Sequence, residues 1–223
     1  MPQCVQAAPS APPPSARWYL LRHAQPRIAK GICYGQLNVP ADTTATQTAA
    51  AAFAAHFKAE HAGHAHTVRL QCSPLQRCQQ LAQALQPMLV AHGLAASACQ
   101  TDAALTEIDF GHWEGQPWNS IAMQEWEGWQ ADFRHYRPGG GESNTQFLRR
   151  VHLAACATAT WLQQDARHIA IWLTHAGVMR GLHWLRQHGN VYPASASEWP
   201  LDGACPCGQW LALDEAAIQS FLS

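Results

Sequence analysis

The chain alternates between short apolar runs and longer segments of helical spacing. "RWYLL" (Arg17 to Leu21), apolar from Trp18 on, predicts a buried strand. From Thr43 to about Glu60 the sequence is Ala-rich, with Phe53 and Phe57 four apart, which predicts a helix. "HAGHAH" (His61 to His66) reads as a loop and "TVRLQC" (Thr67 to Cys72) as a second strand. Ser73 as N-cap and Pro74 in the first helical position open a helix predicted to stop at Gly93. Its Leu75, Cys78, Leu81, Leu85 and Leu89 share one face. A short strand is predicted near Ala98 to Thr101, a helix from Asn144 to about Gln164, and a strand in "HIAIWLTHAG". A helix from Gly177 to Gln187 and a last strand in "GQWLAL" complete the pattern. Strands alternating with helices predict an α/β fold of three layers, α/β/α, around a mostly parallel sheet. No internal repeat is found.

One stretch breaks the alternation. Residues 116–142 are irregular, rich in tryptophan, and end in a glycine run. They read as a small helical and loop insertion over the carboxyl edge of the sheet. The first 16 residues, rich in Ala, Pro and Ser, read as a flexible tail without the basic and apolar regions of a signal peptide. Residues 17–223 then form a single domain.

Composition narrows the function. Hydrophobic residues make up 48% of 223, enough for a sizeable core, while charged residues are 13% and the net charge is −1. No basic stripe suggests nucleic acid, and no run approaches the length of a membrane span. Several of the eight cysteines fall in predicted core elements, which suits reduced thiols and a cytoplasmic protein.

The chemistry gathers at strand ends. "WYLLRHAQP" and "IAIWLTHAG" each end an apolar run in a histidine, His23 and His175. In a parallel sheet those ends share one edge, where ligands bind. "VRLQC" ends there too and leads into a helix with Arg77 in its first turn. Arg22, Arg77, two histidines and a helix N-terminus form a site suited to phosphate. Other groupings are weaker. His61, His64 and His66 match no strong zinc spacing, "ACPCG" is a lone close cysteine pair, and "PGGGES" lacks the Lys-Ser/Thr of a P-loop. Glu142 and Ser143 read as capping residues, and Glu114 as a structural pairing residue. Asp109 and Glu114 are the competitors of Glu107 for an acidic role. Trp113, Trp118, Trp126 and Trp129 suit either packing or stacking on a substrate, with at least one facing the pocket.

"LLRHAQP", "CYGQLNVP", "CSPLQRCQQLAQAL", "LTEIDFGHWEG", "PGGGESNTQFLRRV" and "WLTHAGVMR", in this order, resemble the histidine phosphatase (phosphoglycerate mutase-like) superfamily. The resemblance spans Arg17 to Leu213. "EIDFGHWEG" and "CYGQLNVP" look most like the α-ribazole phosphatases of cobalamin synthesis. It implies a hydrolase with His23 as nucleophile, Arg22, Arg77 and His175 as phosphate ligands and Glu107 as proton donor. Ala176, Gln25, Tyr34 and Trp118 join as phosphate- or substrate-binding residues. No metal or cofactor is implied, since Arg22, Arg77 and His175, where protonated, supply the positive charge. The partner implied is a small phosphomonoester, with no nucleic acid or membrane and with a homodimer allowed. The alternatives are a mutase of the same fold and a catalytically weak phosphate-binding protein. The second is motivated by three departures: Ala24 and Ala176 stand where the family has glycines, and Ala29 where it has an Asn.

Overall fold

The computed structural model describes residues 16–222 apart from 64, 92–94 and 97. The predicted tail, Gly93 and His64 thus lie outside the described residues. The strands are β1 (Ala16–Arg22), β2 (Thr67–Cys72), β3 (Ala95–Ala96), β4 (Gln100–Thr101), β5 (His168–Thr174) and β6 (Trp210–Asp214). The helices are α1 (Thr43–His61), α2 (Gln76–Ala91), α3 (Met123–Ala131), α4 (Asn144–Gln164), α5 (Ala176–His188) and α6 (Glu215–Gln219). The sheet order is β3-β2-β5-β1-β6, with β4 also paired to β2. All pairings are parallel except β1 with β6.

Both faces of the sheet are covered, so β1 reads as an unbroken apolar run. Tyr19 and Leu21 face one side, against Phe53 and Phe57 of α1 and Leu81 and Leu85 of α2. Trp18 and Leu20 face the other, against Phe147 and Val151 of α4, Val178 and Leu182 of α5 and Ile218 of α6. The period of two in a strand produces this split.

Several expectations are corrected. His61 is not in a loop: it is the buried last residue of α1, and its Nε2 lies 2.9 Å from the Tyr19 hydroxyl. The strand expected near 98–101 is two short strands. They pair with opposite ends of β2, Thr67 opposite Ala95 and Gln71 opposite Gln100. The helix after β2 begins at Gln76, with Leu75 O accepting the N–H groups of Cys78 and Gln79. Ser73 is therefore not its N-cap. The five-residue α6, which the apolar pattern did not suggest, is capped by Asp214, whose carboxylate accepts the Ala217 N–H.

Between β4 and α4 the chain runs through 3₁₀ turns at Ala103–Leu105, Gly111–Trp113, Trp118–Ser120 and Pro138–Gly140, with α3 among them. Trp113 and Ile121 of this stretch, with Cys33, are buried in a small separate cluster against which Trp118, Trp126 and Trp129 pack. Ser143 caps α4 in a full capping box with Gln146. Glu142 does not cap. It accepts two hydrogen bonds from the Arg150 guanidinium, both at 2.8 Å.

Among the described residues no helix is long and apolar enough to cross a membrane. The seven described cysteines are free of disulfides.

Candidate active site

Strand register builds the site. Arg22 of β1 pairs with Thr174 of β5, so the next residue on each strand, His23 and His175, leaves the sheet side by side. Their ring centroids are 5.1 Å apart. Ser73 follows β2 at the same edge, and its hydroxyl lies 2.8 Å from His175 Nε2. Glu107 arrives from the loop after the first 3₁₀ turn.

His23 is 2% exposed, and its Nδ1 is 2.7 Å from the Ala24 carbonyl oxygen. A carbonyl only accepts, so Nδ1 carries the proton. Nε2 then holds the lone pair, as a nucleophile requires. Burial, with Arg77 and then Arg22 adding to it, pushes the His23 pKa down to about 3. The imidazole is therefore neutral at ordinary pH.

His175 is fully buried. Its Nδ1 accepts from Arg77 Nε at 3.2 Å, and Nε2 donates to Ser73. Burial first, then His23 and the nearby arginines, hold its pKa well below the usual imidazole value. Burial and these neighbours thus favour the neutral ring of His175 in the unliganded protein. A ring that accepts from an arginine cannot also be an imidazolium at that nitrogen. The cationic component falls to the arginines.

Arg77 is fully buried. Besides its bond to His175 it donates to the carbonyls of Leu37 at 2.9 Å and Gly35 at 2.7 Å. Three of its five N–H groups are engaged, leaving one on each terminal nitrogen. Arg22 donates from Nη1 to the Cys205 carbonyl at 3.0 Å, while its Nε is buried and has no acceptor.

Glu107 is fixed at both ends. Its Oε2 accepts the Gly177 N–H at 3.0 Å and its Oε1 the Ile108 N–H at 3.1 Å. Its own carbonyl accepts from Gln36 Nε2 and Arg150 Nη2, each at 3.1 Å. The competing acids have other partners. Asp109 Oδ1 accepts the Gly111 N–H at 2.7 Å. Glu114 Oε1 accepts the Gln36 and Phe110 N–H groups, which makes it a structural residue.

A cavity of about 410 Å³ opens over this edge. Arg22, His23, Tyr34, Glu107, Trp118 and Ala176 line it, as do Trp126, Trp129, Phe133 and Arg180. Arg77 and His175 are not part of its wall and lie buried behind it. Gln25, expected at the substrate, is exposed and away from the cavity. Its backbone carbonyl instead accepts the Asp42 N–H at 2.8 Å at the start of α1. Trp113 is buried in the cluster beneath, donating to Glu125 at 2.7 Å. Sequence reading missed Gln36, Arg150 and Arg180. The first two act through a backbone carbonyl, which leaves no residue-type signal.

Among the described residues no group of three or more His, Cys, Asp or Glu could hold a metal ion. His61 and His66 pack edge to face, ring centroids 4.7 Å apart.

The fold defines an α/β protein with two histidines side by side at the carboxyl edge of its parallel strands. The pattern of the histidine phosphatase superfamily (branch 1) matches residues 18–205, and the chain belongs to that superfamily. Solved structures share the fold. The native structure of mycobacterial glucosyl-3-phosphoglycerate phosphatase is 22% identical with a TM-score of 0.66, covering 87% of this chain and 88% of that one. Mycobacterial hydrolase 1 is 21% identical with a TM-score of 0.66, covering 89% of each chain. The phosphoglycerate mutase from Thermus thermophilus is 22% identical with a TM-score of 0.55, covering 89% of this chain and 92% of that one. None of the three is named an α-ribazole phosphatase. Among curated proteins no sequence match is found.

Proposed function

We propose that the protein is a phosphomonoesterase that works through a phosphohistidine. The observation that carries this is the tautomer of His23: Nδ1 is spent on the Ala24 carbonyl, which leaves the lone pair on Nε2 of a ring that lines the cavity. Nε2 attacks phosphorus in line as the ester oxygen leaves, forming the N–P bond as the P–O bond breaks. Arg22, which lines the cavity, meets the equatorial oxygens, where charge is spread, and Arg77 adds its positive charge from behind the wall. Glu107 gives its proton to the leaving oxygen. It then takes one from the water that attacks the phosphohistidine, which releases inorganic phosphate and restores neutral His23. His175 positions Arg77 through the Nε–Nδ1 bond. No step requires a metal ion.

The aromatic wall supports a planar leaving group. Trp129 stacks on Phe133 with centroids 5.6 Å apart and planes 17° apart, and Trp118 stands edge-on to Phe110 at 5.2 Å. Such a wall gains more from a ring than from a small polyol. Among named compounds, α-ribazole 5′-phosphate, with its dimethylbenzimidazole, meets that requirement.

The test is rapid-quench labelling with a ³²P-phosphomonoester. Acid-labile label on wild type, absent from His23→Ala, together with release of inorganic phosphate, is expected. Transfer of the label to phosphoglycerate in preference to water would make the protein a mutase. Turnover of His23→Ala within a few-fold of wild type would overturn the reading.

A further inference from the structure

Asn144 is the first residue of α4 and lines the cavity, yet the reaction above does not use it. Its helix does not need its side chain either, because Ser143 and Gln146 form the cap. The residue is 3% exposed. Its Nδ2 donates to the Phe133 carbonyl at 2.7 Å. A carbonyl only accepts, so this bond fixes which end of the amide is which. The other end, Oδ1, accepts from no described residue, and it is not among the buried atoms sealed off without a partner. In a buried residue of the cavity wall, that makes Oδ1 a free acceptor facing the cavity.

Its neighbours say which part of a substrate it would meet. Phe133, whose carbonyl holds the amide, stacks on Trp129, with centroids 5.6 Å apart. Phe147, three residues along α4, lines the cavity with both. The acceptor therefore stands among the rings that face the leaving group.

The phosphate is the wrong partner for it. A phosphoryl dianion brings only acceptor oxygens, which a carbonyl oxygen repels. A plain hydrocarbon ring is also a poor fit. Seated there, it would shut Oδ1 off from solvent unpaired, and an unpaired buried acceptor costs more than a made hydrogen bond gains. An O–H or N–H on the leaving group satisfies the oxygen and keeps the contact with the rings.

We infer that Asn144 is a specificity-determining residue, its Oδ1 accepting a hydrogen bond from the leaving group. The substrate class is then a phosphomonoester whose ring-bearing alcohol or phenol carries a further hydroxyl or N–H. This rests on the phosphomonoesterase reading of the same site. In α-ribazole 5′-phosphate the dimethylbenzimidazole has no N–H, so the ribose hydroxyls would be the donors.

Four non-hydrolysable probes test it by calorimetry: phenylphosphonate and its 2-, 3- and 4-hydroxy derivatives. Wild type should bind at least one hydroxylated isomer about fivefold more tightly than the parent. In Asn144→Leu that ratio should fall to within about twofold of one. Asn144→Asp, which keeps an acceptor oxygen, should retain the preference. A general loosening of the wall weakens parent and isomers alike and leaves the ratio unmoved. Wild type that binds no isomer more tightly than the parent needs no variant and would overturn the inference, as would no binding of any probe. So would a preference that persists in a folded Asn144→Leu. A preference lost equally in both variants would assign Asn144 to holding Phe133 and would overturn it too. Turnover of the four corresponding phosphate esters separates the two readings. Discrimination among the phosphonates without hydrolysis of any ester would remove the phosphatase and leave Asn144 in its role. Hydrolysis through phosphohistidine with no gain from any hydroxyl would do the reverse.

Discussion

Glu107 and Gly177 fit each other so closely that a side chain at 177 would displace the Glu107 carboxylate. The Gly177 N–H donates to Glu107 Oε2 at 3.0 Å, and a Cβ at 177 would fall well inside contact distance of Oε1. The residue after the second histidine is an alanine, but the next position has no such tolerance. Gly177→Ala should therefore act as a mutation of Glu107. Loss of a proton donor costs about 10²–10⁴-fold when the leaving group is a poor alkoxide and little when it is an activated phenol. Both Gly177→Ala and Glu107→Gln should slow glycerol phosphate hydrolysis far more than that of p-nitrophenyl phosphate. Steady-state kcat/KM on the two esters measures this, and equal loss on both would assign Glu107 a positional role.

The loop that delivers Glu107 depends on Arg150. That guanidinium joins Glu142 to the carbonyls of Ala104, Thr106 and Glu107. Both partners are mostly buried, with side chains 21% and 15% exposed. Arg150→Met leaves a carboxylate and three carbonyls short of donors, and should cost at least about 2 kcal/mol. Urea denaturation is the measurement. A variant as stable as wild type would mean that the loop is held by other contacts.

The neutral state of His23 has a consequence for stability. In the unfolded chain the ring takes a proton near pH 6.5, and in the folded chain only near pH 3. Between those values the unfolded state binds more protons, so stability rises with pH and falls as pH drops below about 6.5. The slope is about 1.4 kcal/mol per pH unit for one such histidine. His23→Asn has no such proton to exclude. Relative to wild type it should gain about 2 kcal/mol between pH 7 and pH 5. Denaturation curves at the two pH values check this, and parallel behaviour would place the His23 pKa near its ordinary value.

Much of this site was legible because it lies where apolar runs stop. A strand covered on both faces reads as "WYLL" or "IAIWL", and a histidine at its end has little reason to be there except the sheet edge. The close approach of His23 and His175 depends on the Arg22–Thr174 register, which pattern alone does not give. Ser73 shows why a correct signal misleads. "CSPLQR" is a sound helix start, but the Ser73 hydroxyl is drawn to His175 and the helix begins at Gln76. Glu142 is likewise taken by Arg150, a residue eight positions on and beyond the reach of any local capping rule. Arg180 was illegible for a different reason: in sequence it is one more helix arginine, and only its place on the cavity wall marks it.

The aromatic wall makes the last prediction. Trp118 is half-buried and lines the cavity, meeting Phe110 edge-on at 5.2 Å and Trp126 at 5.9 Å. Trp113, by contrast, is buried away from the cavity, so its loss would disturb the cluster as a whole. A stack between Trp118 and a flat leaving group would be worth about 0.5–1.5 kcal/mol, or roughly 2- to 13-fold in binding. It acts on the ring and not on the phosphate. Wild type should therefore have a higher kcat/KM for α-ribazole 5′-phosphate than for 3-phosphoglycerate, and Trp118→Ala should reduce that ratio by about this factor. Trp129→Ala should reduce it too, with a loss of stability, because Trp129 also stacks on Phe133. 3-Phosphoglycerate carries a carboxylate and no ring, and α-ribazole 5′-phosphate a ring and no carboxylate. A wild-type preference for 3-phosphoglycerate that Trp118→Ala leaves in place would remove the α-ribazole assignment.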